Sequence, residues 1–334
     1  MMELTKGLIS LTPVLIFLAA LIFLDSYKLV SPRMIVLTIV VGGISALLSA
    51  AVNNAISSTH AIGTIAFSRY IAPLVEESAK AAFVVILFRL NRIGFMVDAA
   101  IYGFAIGAGF SLVENAFYLY RLDTGNILVW VIRGFGTAAM HASTMAMLAV
   151  MAKNLIDRTG KFRWWAFVPG LLLAYGIHSL FNHFILSPTL STVLLLIILP
   201  LLVVLVFQRS EKATEQWLGV GFDADQELIR QLSTGEFEQT KIGAYLQTLR
   251  ERFPGEAVVD MFCLLRIHTE LALRAKGIMM MRQAGIEVPP DPELQEQMNE
   301  IKYLEKSIGQ TGKLAILPFL HSSSRDLWQL TTIK

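Results

Sequence analysis

The chain has 334 residues, 54% of them hydrophobic and 16% charged, with a formal net charge of +2. Charge is well below the quarter usual in soluble domains, so a membrane protein is the first expectation, and the small net charge without a long basic block argues against nucleic-acid binding. Cys263 is the single cysteine, which excludes an internal disulfide framework and any cysteine-based zinc cluster.

Seven apolar segments are long enough, or nearly so, to cross a hydrocarbon core of about 30 Å at about 1.5 Å per residue. They cover residues 8–24, 34–51, 62–90, 99–120, 127–152, 164–186 and 190–207. The first has no clean small-x-small site before Asp25, and its basic residues follow it, so it reads as a retained anchor rather than a cleaved signal. Lys28 and Arg33, Arg89 and Arg92, then Lys153, Arg158, Lys161 and Arg163 fall in alternate loops, against Arg121 alone on the other side. The positive-inside rule therefore places the N-terminus outside and everything after residue 207 in the cytoplasm.

Composition changes at Gln208-Arg209-Ser210-Glu211-Lys212. This divides the chain into a membrane domain, 1–207, with its polar core at about 62–186, and a soluble helical domain, 208–334. In the latter, Val258, Met261, Phe262, Leu265, Leu271 and Leu273 recur at helical intervals until Pro289-Pro290-Asp291-Pro292 interrupts them. Met279, Met280 and Met281 read as helix packing, and His268 and His321 as lone packed or surface imidazoles. The expected fold is all-α: a polytopic membrane protein of about seven transmembrane helices with a C-terminal helical soluble domain, whose length and pattern suggest a surface for a cytoplasmic partner.

The first, second and seventh segments carry no charge, whereas every ionisable group at membrane depth lies in the third to sixth. These are Arg69, Glu76, Glu77 and Lys80, then Glu114 followed by Asn115, then Arg133 and His141, and finally His178, Asn182 and His183. Such groups must face a protein interior or a water-filled cavity, so one shared polar chamber among four helices is expected. Glu76 and Lys80, four apart, share a helix face and partly neutralise each other, while Glu77 is rotated toward a neighbouring helix. His178 and Asn182 project together, and His183 lies on a different face. Gly103, Gly107 and Gly109 would allow a close helix–helix approach. Counted from the segment ends, the chamber sits between the midplane and the outer face.

Two carboxylates, two histidines and an asparagine, with no cysteine or activated serine, suit water activation better than covalent catalysis. Glu114, His141 and His178 could hold zinc and leave a position for water, with Glu76 or Glu77 as the base, Lys80 tempering their charge, and Asn182 holding an oxyanion or completing the metal shell. The same residue types serve proton relays, ion-coupled transporters and non-catalytic polar scaffolds. Transport predicts internal repeat symmetry, and the segments show no convincing repeat.

Glu76-Glu77-Ser78-Ala79-Lys80, Phe110-Ser111-Leu112-Val113-Glu114-Asn115, His141 and His178-Ser179-Leu180-Phe181-Asn182 form an ordered set. The set resembles the PrsW family of intramembrane proteases, related to the CAAX prenyl endopeptidases and Abi proteins, over about residues 66–183. The resemblance implies cleavage of a membrane-anchored protein, such as an anti-sigma factor cut on its extracytoplasmic side. It implies Glu76 and Glu77 as the catalytic pair and His141 and His178 as catalytic or metal-binding histidines. The CAAX relatives have a histidine where this chain has Glu114, and cleavage of a prenylated peptide would need a chamber open to the cytoplasm. Residues from 208 onward lie outside the resemblance.

Overall fold

The computed structural model describes all residues except 1, 28–29, 123, 160–161, 234–236, 287, 289–291, 318 and 320–334. Lys28, Lys161, Pro289, Pro290, Asp291 and His321, which the sequence expectations invoke, lie outside the described residues. Every regular element among the described residues is helical, and the chain divides into two compact units, Met1–Ser210 and Glu211–Lys334.

The first unit is a bundle. Helix α1 spans Met2–Leu24 and α2 Pro32–Ser57. Ser31 caps α2, its side chain accepting the Met34 amide, with Pro32 in the first turn where its missing N–H costs nothing. The third crossing is composite: a short α3 at Thr64–Ala66, a π-helical turn at Phe67–Ile71, and α4 at Ala72–Arg89. Helix α5, Met96–Arg121, is buried from Val97 to Ser111 and packs mainly against α2 and α7. The fifth crossing repeats the composite pattern, with α6 at Ile127–Val131, a π-helical turn at Ile132–Thr137, and α7 at Ala138–Thr159. A 3-10 turn at Trp164–Phe167 leads into α8, Val168–Asn182.

Five of these crossings, and with them the following helix α9 (Pro188–Ser233), are long and apolar enough to span a membrane by length and composition. The α3–α4 crossing is not among them because Glu76, Glu77, Lys80 and Arg89 all fall within the 18 residues of α4. Leu47, Leu48, Ile197, Leu201 and Leu205 remain exposed on α2 and α9, as lipid-facing side chains would be. The protein is an all-α, multi-pass membrane protein.

Close packing at α5 depends on missing side chains. A Cβ on Gly107 would stand 2.2 Å from the His141 carbonyl oxygen, and one on Gly109 would stand 1.9 Å from that of Ile39. Backbone therefore meets backbone on both sides of α5, as small residues permit between membrane helices.

Helix α9, Pro188–Ser233, continues well past the change of composition at Gln208. The sequence boundary there is a change of polarity rather than the end of a helix, because Gln, Arg, Glu and Lys are good helix formers. The second unit contains the end of α9, α10 (Lys241–Leu249), α11 (Gly255–Gln283) and α12 (Pro292–Ile316). Its core gathers Leu228, Met261, Leu264, Leu265, Leu271 and Leu304. Met279 is buried, whereas Met280 and Met281 are exposed. Inside this unit Lys276 pairs with Asp225, both buried.

Candidate active site

Both composite crossings carry a chemical group within one or two turns of a π-helical turn. A π turn shifts the helix register and frees carbonyl oxygens, and such turns cluster at functional sites. Here side chains of neighbouring helices bond to carbonyls of both turns. Ser179 donates to Arg69 O at 2.7 Å and Asn182 to Ser68 O at 3.0 Å. Asn115 Nδ2 reaches Arg133 O at 3.4 Å and Ser10 O at 2.8 Å, while its Oδ1 accepts Arg133 Nε at 2.9 Å. These bonds fix where the next turns of α4 and α7 present Glu76, Glu77 and His141.

Glu77 is fully buried behind the two histidines. Its Oε1 accepts from Lys80 Nζ at 2.6 Å and from His178 Nδ1 at 2.7 Å, and Thr144 Oγ1 reaches its Oε2 at 3.4 Å. Lys80 also lies 2.9 Å from His141 Nδ1 and over the ring of Phe110. The pairing thus runs from Lys80 to Glu77, three residues back, and not to Glu76 four back as the spacing suggests. The reason is that Glu77 and Lys80 both face α7 and α8, and Glu76 turns the other way into an open cavity.

That cavity encloses about 760 Å³ and is lined by Glu76, Glu114, His141, His178 and Asn182 among apolar and small residues. Its walls are the C-terminal halves of α2, α5 and α8 and the N-terminal halves of α4 and the α6–α7 crossing. Consecutive crossings run in opposite directions, so all these ends lie at one end of the bundle. On the cavity side His178 Nε2 stands 3.8 Å from Glu76 Oε2, and Asn53 Nδ2 donates to Glu76 Oε1 at 3.2 Å. His141 Nε2 stands 3.3 Å from Glu114 Oε2, which is also 3.2 Å from Arg133 Nη2. The two imidazoles meet edge to face with centroids 4.7 Å apart.

One donor atom from each of Glu76, His141 and His178 falls within a 4.8 Å group, close enough to ligate one ion. Ligands of a tetrahedral zinc at about 2.0–2.1 Å lie roughly 3.4 Å apart, so small side-chain adjustments would suffice. Two further observations bear on the fit. His178 gives its Nδ1 proton to Glu77, leaving the Nε2 lone pair toward the cavity, as in carboxylate–histidine–metal arrangements. His141 Nε2 is buried without a hydrogen-bond partner. The donor set and its surroundings fit a divalent transition metal.

The structure therefore brings Glu76, Glu77, Lys80, Glu114, His141 and His178 together, but the donor group differs from the sequence expectation by one residue. Glu76 stands with the histidines where Glu114 was expected, and Glu114 leans on Arg133. Asn182 lines the same cavity while its amide nitrogen is engaged at Ser68. His183 turns aside to Tyr70 and Ser179. Sequence reasoning missed Asn53, because the second segment was ended at residue 51 whereas the helix continues to Ser57. The signal available was an Asn53-Asn54 pair directly following an apolar run.

The model of the PrsW-protease family, described as PrsW family intramembrane metalloprotease, matches residues 30–207. No curated protein and no solved structure matches the chain. The match covers more than half of the chain and spans α2 to the first part of α9, so it contains every residue that lines the polar chamber. The chain belongs to the PrsW family of intramembrane metalloproteases.

Proposed function

We propose that the protein hydrolyses a peptide bond in a membrane-anchored protein, an anti-sigma factor being one example, near the extracytoplasmic face of the membrane. The observation that carries this reading is the convergence of Glu76, His141 and His178 donor atoms in an otherwise apolar bundle. In this reading those three residues hold zinc. A bound zinc supplies Lewis acidity toward an attacking water and the scissile carbonyl. Glu77 keeps the His178 proton on Nδ1, so that Nε2 remains a donor. Glu114, steadied by Arg133, takes the proton of the attacking water as general base. Asn182 anchors the π turn ahead of Glu76 rather than holding an oxyanion. The apolar helices around the cavity exclude bulk water and strengthen each of these interactions.

The orientation belongs to the same proposal. With the N-terminus outside, the end of the bundle that holds the cavity faces outward, and residues 208–334 face the cytoplasm, where they would meet a cytoplasmic partner. A second reading is favoured by the Lys80–His141 contact. A lysine ammonium donating to Nδ1 leaves the neutral imidazole with its proton on Nε2, beside Glu114. That arrangement suits water activation by carboxylate and imidazole alone.

Purified protein incubated with single-span membrane proteins tests the main reading, with Glu76→Gln and His178→Ala as comparisons and bound metal measured in each. Cleavage by the wild type with stoichiometric zinc, lost in both variants together with the metal, is expected. Cleavage by metal-free wild type moves the mechanism to the second reading, and full activity in both variants overturns the site.

A further inference from the structure

Beyond Arg33 in its first turn helix α2 carries no charge, yet its cavity face is polar at regular intervals. Ser49, Asn53 and Ser57 line the cavity at successive steps of four residues. Ser49 is 2% exposed, and its hydroxyl has no hydrogen-bond partner. This sets it apart from Ser45, Ser58 and Ser111, each of which donates to the carbonyl three residues back in its own helix. Asn53 uses its Nδ2 on Glu76, and its Oδ1 is buried and unpartnered. An unused hydroxyl and an unused amide oxygen thus border one cavity, within a turn of each other and beside a metal-site carboxylate. Buried polar groups are seldom left unpaired, because each costs about 1–3 kcal/mol.

Spacing indicates what they would bind. Side chains four apart on a helix repeat at about 6 Å. Backbone groups on one edge of an extended peptide repeat every second residue, at about 6.6 Å. A substrate helix has its N–H and C=O groups bonded internally, as hydrocarbon requires, and could not use such a row. An unwound one could. We propose that Ser49 and Asn53, with Ser57 at the mouth, bind the substrate backbone as an extended segment, Asn53 Oδ1 accepting a substrate N–H next to the bond that Glu76 faces. The inference rests on the proteolytic reading and adds to it the conformation in which substrate is held.

The test uses full-length protein and synthetic single-span peptide substrates in which one backbone amide at a time near the cleaved bond is replaced by an ester, removing its N–H. Ser49→Ala is expected to lower kcat/KM about 3- to 10-fold, mainly through KM, and Ser49→Thr to recover most of it. One ester position should cost the wild type a similar factor and cost Asn53→Ala nothing further. The ester effect is a ratio of two substrates taken within each protein, so it holds even if a variant accumulates poorly. Ester effects that are equal in wild type and Asn53→Ala at every position overturn the inference while leaving proteolysis in place. A wild type that cleaves no substrate overturns both.

Discussion

Glu77 makes no approach to the cavity, but more depends on it than on any other carboxylate in the bundle. It accepts from Lys80, His178 and Thr144 at once, which sets the direction in which His178 presents Nε2. Glu77→Gln keeps the shape and loses the charge, so metal affinity should fall about 10- to 100-fold, as competition with a chromophoric chelator would read. The neighbouring contact makes a second prediction. Lys80 offers hydrogens to His141 Nδ1, so metal entering at Nε2 requires one proton to leave the Lys80–His141 pair. Calorimetric titration of the apoprotein with zinc, in buffers of different ionisation heat, should report release of about one proton per metal. These roles were only half legible in the sequence. The segregation of Glu76, Glu77, Glu114, His141 and His178 into adjacent segments pointed to a shared chamber. Which glutamate faced the histidine donors depended on helix rotation, and a rotation of about 100° per residue between Glu76 and Glu77 lies within the error of any segment boundary.

At the level of elements, the site is built by two π turns and one close helix crossing. Gly107 faces the carbonyl of His141 itself. Gly107→Ala should therefore push α7 from α5 at the site, costing about 1–3 kcal/mol and reducing both thermal stability and metal occupancy. Gly63→Ala, where an added Cβ meets nothing within 4 Å, should leave both unchanged. The glycine spacing was readable because small residues at a helix interface have a compositional signature. The π turns were not, since Phe67–Ile71 and Ile132–Thr137 differ from ordinary helix only in which carbonyl each amide reaches. Of their partners, Asn182 looked like a candidate for chemistry and, like Ser179 and Asn115, is engaged with backbone.

For the whole molecule, hydropathy finds the scaffold and passes over the chemistry. Six crossings satisfy a length-and-composition test, and the α3–α4 crossing that bears both adjacent glutamates fails it through the charges that make it useful. The helical bundle was legible from apolar run lengths alone, whereas the continuity of α9 through Ser233 was hidden by a change of polarity that leaves helix propensity intact. The orientation makes its own prediction. In a Cys263→Ser background, Gly125→Cys between α5 and α6 should react with a membrane-impermeant thiol reagent on intact cells. Arg92→Cys between α4 and α5 should react only after permeabilisation. The reverse pattern would put the cavity on the cytoplasmic side.

The chamber also has an electrical balance. Glu76, Glu77 and Glu114 face Lys80 and Arg133 in one connected set of contacts, directly or through the histidines. With neutral histidines and all three glutamates ionised, this set would carry one net negative charge, an expensive state inside hydrocarbon. A divalent cation entering as one proton leaves would bring the sum to zero. On the metal-dependent reading proposed above, a doubly charged ion, rather than a singly charged one, would let the bundle close around its own charges.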